Sequence, residues 1–158
     1  MRLKIFSNYS PNFDPIKRHK NQIKFLIFHY TGMKKESDAI KKLTNSKSDV
    51  SCHHFIKNSG ETFVMVPDLY IAWHAGISKF QGRENCNEFS IGIELEGTDN
   101  LDYTKNQYES LVEATKEIMK VYPAISKENI VGHSDIAPDR KTDPGDSFNW
   151  NLYLHNLF

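Results

Sequence analysis

Three residues that lie far apart in the chain, His29, His133 and Asp143, are of the types that make up a catalytic zinc site with one position left open: two imidazoles and a carboxylate. Such a site lowers the pKa of bound water to about 7 and polarises a carbonyl. His29 closes the apolar run Lys24-Phe25-Leu26-Ile27-Phe28. His133 follows Asn129-Ile130-Val131 and Gly132, and Asp143 sits in Lys141-Thr142-Asp143-Pro144-Gly145, stiffened by proline and opened by glycine. Strand ends are where α/β proteins build their sites. The spacing has none of the compactness of HExxH, so on residue types alone a pair of hydrogen-bonded core histidines is the alternative.

Glu94 and Glu96 raise a second possibility. Between Ser90 and Glu96, Ile91, Ile93 and Leu95 share one face of a strand, and Gly92, Glu94 and Glu96 the other. A solvated face is the ordinary meaning of alternating charge. Glutamate is nevertheless depleted in strands, and Gly92 implies a close approach to that face. A carboxylate there could act as general base, and Lys141 could steady the oxyanion of an attacked amide. Arg140 could pair with a substrate carboxylate. Trp73-His74 offers an aromatic platform with a polar tip, or else a tryptophan that pins a loop. His53 and His54 are adjacent in a strand, so at most one can face any given site. No GxGxxG, P-loop, nucleophile elbow or Cys–His pattern is present.

The elements that must position these residues are readable in outline. Lys24–Phe28 reads as a buried strand, Ser37–Leu43 as a short helix capped by Ser37, and 54–56 with 62–66 as a hairpin turning at Asn58-Ser59-Gly60. Residues 67–88 read as a long irregular loop, a length usually tied to function. Thr104 and Gln107 form a capping box for a helix from Lys105 to about Tyr122, whose apolar stripe is core. Residues 129–131 read as a short strand, 134–149 as a loop, and Trp150–Leu157 as a final helical turn. Alternating strands and helices with one hairpin make a single α/β domain, a central mixed sheet flanked by helices, over 23–158. Residues 1–22, polar and interrupted by Pro11 and Pro15, read as an N-terminal surface arm.

With 158 residues, 20 basic and 20 acidic side chains and 12% aromatics, the chain is long enough to bury one core. Its zero net charge removes electrostatic grounds for a nucleic-acid or anionic-membrane partner. No secretory signal is legible, so the expected setting is cytoplasmic, with Cys52 and Cys86 as free thiols.

The stretch WHAGISKFQGRENCNEFSIGIELEGTD (73–99) followed by GHSDIAPDRKTDPG (132–145) closely resembles the AmpD-type N-acetylmuramoyl-L-alanine amidases, within the zinc amidase and peptidoglycan recognition protein superfamily. The resemblance covers about residues 23–158. It implies a mixed sheet flanked by helices, with one zinc ion held by His29, His133 and Asp143 in a surface groove. It also implies Glu94 and Lys141 as catalytic residues and hydrolysis of the lactyl amide between muramic acid and L-alanine. Trp73, His74, Arg140 and His53 are the expected substrate contacts. The expected partner is a small 1,6-anhydro-muropeptide handled in cytoplasmic wall recycling by a monomer. Two features differ from the AmpD type: Tyr30 stands where those enzymes have asparagine, and the segment from His29 to Ser51-Cys52-His53-His54 is shorter. Both look more like broad-specificity wall amidases or lysins, and a non-catalytic peptidoglycan-binding module is the remaining alternative.

Overall fold

The computed structural model describes residues 4–158. Ten strands form among the described residues: β1 (Ile5–Ser7), β2 (Phe13–Asp14), β3 (Phe25–Tyr30), β4 (His54–Ile56), β5 (Thr62–Val64), β6 (Ile71–Ala72), β7 (Lys79–Phe80), β8 (Arg83–Glu84), β9 (Ser90–Leu95) and β10 (Ile130–Gly132). The helices are α1 (Glu36–Thr44), α2 (Lys105–Val121), α3 (His133–Ile136) and α4 (Trp150–Leu157). Six strands make one mixed sheet in the order β1-β5-β4-β9-β3-β10, in which only β4 and β5 run antiparallel; β2–β6 and β7–β8 are separate antiparallel pairs.

The period-2 alternation of the two central strands divides the interior. Leu26 and Phe28 of β3, with Ile91, Ile93 and Leu95 of β9, bury against Leu111, Val112 and Ile118 of α2 and Tyr153 of α4. Phe28 meets Tyr153 edge-on at 5.2 Å and stacks on Trp150 at 5.6 Å. Aromatic pairs of this kind contribute about 0.5–1.5 kcal/mol beyond area burial, and these anchor the strand whose next residue is His29. On the opposite face Phe25 and Ile27 pack with Ile136, Ala75 and Cys86, while Ala39 and Leu43 of α1 cover Cys52, Phe55 and Met65.

α2 starts where its capping box predicts: Thr104 Oγ1 accepts from Gln107 N at 3.1 Å, and Gln107 Oε1 accepts from Thr104 N at 2.9 Å. α1 starts one residue before the expected cap. Lys35, not Ser37, is its N-cap and makes no side-chain cap bond. The start is supported instead by acidic Glu36 and Asp38 in the first turn, which favour the helix dipole, and by the 2.9 Å Lys57–Glu36 ion pair.

The described part of the segment read as a surface arm is tied into the fold. β1 extends the sheet beside β5, β2 pairs with β6, and Ser10, Asn12 and Arg18 are buried. Their polarity concealed this, because each side chain finds backbone partners. Asn12 Nδ2 donates to the carbonyls of Asn45 and Val50 at 2.9 Å, and Arg18 donates to those of Asn87, Ser90, Asp68 and Tyr70. The long loop is likewise more regular than expected. Gln81 and Gly82, both at positive φ, turn the β7–β8 hairpin in the manner of a type I′ turn. Cys52 and Cys86 are free and buried.

Candidate metal centre

β3, β9 and β10 run parallel, so their C-terminal ends lie along one edge of the sheet, where ligands bind in open α/β sheets. His29 is the penultimate residue of β3 and pairs in register with Glu94 of β9. β10 ends at Gly132, and the chain turns directly into α3 with His133 as its first residue. Asp143 is delivered by the loop after α3. That loop passes close over Gly132, where a Cβ would stand 2.6 Å from Pro144 Cδ, and it is tied down by Ser134 N donating to the Asp143 carbonyl at 3.0 Å.

The result is a compact donor set. His29 Nδ1 and His133 Nδ1 are 2.9 Å apart, and each is 3.1 Å from Asp143 Oδ2. All three residues are buried. Among the described residues, this is the group of three or more metal-type side chains with converging ligand atoms. Ligands about 2.0–2.1 Å from a tetrahedral zinc stand about 3.3 Å from one another, so the trio fits such an ion with a few tenths of an ångström of expansion. The far nitrogens are engaged as well. His29 Nε2 is 2.9 Å from His74 Nδ1, and His133 Nε2 is 2.9 Å from the Ala75 carbonyl.

The electrostatics suit metal ligation, which needs an ionised carboxylate and neutral imidazoles. Burial by itself would raise the Asp143 pKa, but the hydrogen bonds from His133 and His29 and their charges carry it well below the usual carboxylate range. Burial holds His29 down at about 4, so it is neutral and able to ligate near pH 7. Glu94 projects from the same sheet face into a cavity of about 40 Å³, bounded by Thr31, Met33, Lys42 and Leu43. Burial, and then the charge of Asp143, push its carboxyl well above the usual value, while Lys42 and Lys141 pull the other way.

The remaining expected residues fall in different places. Lys141 is half-buried and near enough for its charge to act on both His29 and Glu94. Glu96 does not join Glu94: its Oε2 accepts from Asn58 N at 2.7 Å and holds the hairpin turn. Trp73 donates through Nε1 to Asp14 Oδ1 at 3.0 Å, which fastens the loop to β2. His53 is fully buried behind β9, where its Nδ1 accepts from Gly92 N at 3.0 Å and its Nε2 faces the Tyr70 carbonyl and Arg18. His74 stands behind His29. Arg140 donates to the carbonyls of Ala75 and Ile77, both at 2.8 Å, so it clamps a loop. For Trp73, His74, Arg140 and His53, support of the site is the role their contacts describe.

Several contributors were not legible. Tyr30 donates to Asp99 Oδ2 at 2.9 Å and sits 3.0 Å from Thr142 Oγ1, which braces the loop bearing Lys141 and Asp143 against the end of β3. Ser90 and Lys42 also belong to the neighbourhood, yet an isolated serine or a helix lysine carries no sequence signal of its own. Gly92 did carry one. A Cβ there would lie 2.4 Å from His74 Cγ, so the close approach its position implied is made by an imidazole. A surface groove of about 730 Å³ between α2 and α4 shares no residue with the donor set.

The class these features define is an α/β protein carrying one His-His-Asp donor set, a carboxylate and a lysine at the ends of its parallel strands. Residues 19–146 match the N-acetylmuramoyl-L-alanine amidase family, and the chain belongs to that family. It is 57% identical over 101 residues to the 1,6-anhydro-N-acetylmuramyl-L-alanine amidase AmpD of Escherichia coli; the match takes in 64% of this chain and spans about half, 55%, of that relative's length. A crystal structure of a selenomethionine AmpD derivative superposes with a TM-score of 0.87 at 36% identity, covering 100% of both chains. The Escherichia coli amidase AmiD, solved in complex with anhydro-N-acetylmuramic acid-L-Ala-D-γ-Glu-L-Lys, gives a TM-score of 0.79 at 33% identity over 85% of this chain and 57% of that one. No helix among the described residues is long and apolar enough to cross a membrane.

Proposed function

We propose that this protein is a zinc-dependent amidase that cleaves the lactyl amide between 1,6-anhydro-N-acetylmuramic acid and L-alanine in muropeptides, as a cytoplasmic step of cell-wall recycling. The observation that carries this reading is the convergence of His29 Nδ1, His133 Nδ1 and Asp143 Oδ2 beside Glu94, on one sheet face within the segment that matches the family. A zinc ion bound by the three donors supplies Lewis acidity and a water molecule acidic enough to ionise near neutral pH.

The chain's own residues do the rest. His29, His133 and Asp143 offer three preset donors. Glu94, whose carboxylate has no hydrogen-bonding partner among the described residues, takes the proton of the attacking water. It then delivers that proton to the alanine nitrogen as the amide bond breaks. Burial raises its pKa, which makes its carboxylate a stronger acceptor of the water's proton. Lys141 places a positive charge where the lactyl carbonyl oxygen becomes negative. Tyr30, Asp99 and Thr142 keep the Lys141–Asp143 loop in position through that change of charge.

Anhydro-muramyl tripeptide, ordinary muramyl tripeptide and intact peptidoglycan, incubated with the zinc-loaded protein and followed by mass spectrometry, test the reading. Release of the peptide mainly from the anhydro sugar is expected. Equal cleavage of all three would reassign the protein to general wall hydrolysis, and binding without cleavage would make it a recognition module.

A further inference from the structure

The two ligand histidines are backed by consecutive residues of one loop. His29 Nε2 meets the His74 side chain, and His133 Nε2 meets the carbonyl of Ala75. A metal-ligating histidine generally donates its second N–H to an outer partner that sets its tautomer. A carbonyl does this without ambiguity because it can only accept. An imidazole does not, since a neutral histidine in that place can present either a lone pair or a proton.

The environment of His74 decides which. Its Nε2 is 3.2 Å from Ser90 Oγ, and Ser90 Oγ is 2.6 Å from the carbonyl of Cys86. Two oxygens at 2.6 Å need a proton between them. The serine's single proton therefore points at the carbonyl, and its oxygen accepts from His74 Nε2–H. That places the lone pair of His74 on Nδ1, where it accepts from His29 Nε2–H and leaves His29 Nδ1 bare toward Asp143. The chain of donors thus runs from His29 to His74 to Ser90 to the Cys86 carbonyl.

The backbone under this relay is itself fixed. His74 N and Ala75 N both donate to Asn87 Oδ1, at 3.1 and 2.7 Å. Arg140 holds the Ala75 carbonyl at 2.8 Å, and glycine at 92 leaves room for the His74 ring.

We propose that His74 and Ala75 form the tautomer-setting element of the metal centre, with His74 and Ser90 as positioning residues that present the Nδ1 lone pair of His29 to the ion. The inference rests on the metal-centre reading above. It assigns to His74 a role in binding the metal instead of a contact with substrate.

The test uses the full chain, with zinc affinity measured by competition with a chromophoric chelator, cobalt spectra, thermal melts and ¹⁵N spectra of the histidine rings. His74→Leu fills similar space with no acceptor and should weaken zinc binding by roughly 10–100-fold. His74→Asn, whose Oδ1 can stand near the Nδ1 position, should recover most of that loss. Ser90→Ala should weaken binding and shift the cobalt spectrum while the variant still melts cooperatively. In the wild type, His74 should carry its proton on Nε2.

Wild-type zinc affinity in a folded His74→Leu, or a His74 proton on Nδ1, would overturn the proposal. If His74→Leu does not fold, the wild-type ring spectrum alone decides the matter. Asp143→Ala separates the two levels of inference. Zinc binding unaffected by that change would remove the metal-centre reading itself, whereas loss with Asp143→Ala but not with His74→Leu would remove only the role given to His74.

Discussion

Gly92 touches no ligand, yet the centre depends on its missing side chain. A methyl group at Gly92→Ala would stand 2.4 Å from His74 Cγ, 2.5 Å from Nδ1 and 2.7 Å from Cδ2, all parts of one rigid ring held from two sides. The ring must shift, so Gly92→Ala should cost about 1–3 kcal/mol in a denaturant titration and weaken zinc binding in the chelator assay. Retention of both would show that the ring has slack. Glu94 poses the opposite case, a side chain close to the centre that the centre does not need in order to assemble. Glu94→Ala should keep stoichiometric zinc by metal analysis while turnover falls by at least about 10²–10⁴, the range typical for a lost general base. Full turnover would remove Glu94 from the chemistry.

Elements, more than individual residues, decide where these side chains stand. Because β3 and β9 are parallel and in register, His29 and Glu94 come side by side although 65 positions separate them. α2 contributes no site residue but seals the other face of both strands, and its start is local chemistry. Thr104→Ala removes the acceptor for Gln107 N and the 2.7 Å bond from Thr104 Oγ1 to the Asn58 carbonyl. The expected loss is about 1 kcal/mol, read from the urea midpoint, with zinc affinity unchanged because no donor lies on that helix. The capping box was plain in the sequence since its two partners are three residues apart. The start of α1 was not, because its support comes from Lys57, more than twenty residues away.

At the scale of the whole molecule, Arg18 joins what would otherwise be separate pieces. Its guanidinium donates to four backbone carbonyls from residues 68, 70, 87 and 90, and burial lowers its pKa to about 10, so it stays charged. Arg18→Ala would leave those carbonyls without a donor and should destabilise the protein by roughly 3 kcal/mol or more, measured by urea unfolding. A change under 1 kcal/mol would mean that Arg18 does not join these pieces. The same cluster makes stability depend on pH. Burial, and then the Arg18 charge, hold the folded pKa of His53 at about 3, against 6.5 for the free side chain. Below 6.5 the unfolded chain binds a proton that the folded one refuses. The stabilisation present above pH 6.5 is therefore lost as the pH falls toward 3, with a slope of about 1.4 kcal/mol per pH unit. Urea midpoints at pH 7, 5.5 and 4.5 should fall at least that steeply, because His29 and His74 are depressed in the same direction, and His53→Asn, which keeps an acceptor for Gly92 N, should lessen the slope.

By itself the sequence determined the α/β class, the alternation that puts Glu94 opposite Ile93 and Leu95 and the α2 capping box, and through the family resemblance it singled out His29, His133 and Asp143 as a candidate donor set. Each of these rests either on short-range periodicity or on residue types and motifs carried within a few positions. Tertiary structure alone decided that Ser10, Asn12 and Arg18 belong to the interior, that Arg140 and Trp73 hold loops, and that His74 stands behind His29. Those outcomes turn on where backbone carbonyls and neighbouring strands lie in space. A buried polar side chain is stable only where such partners wait for it, and no linear spacing records their positions.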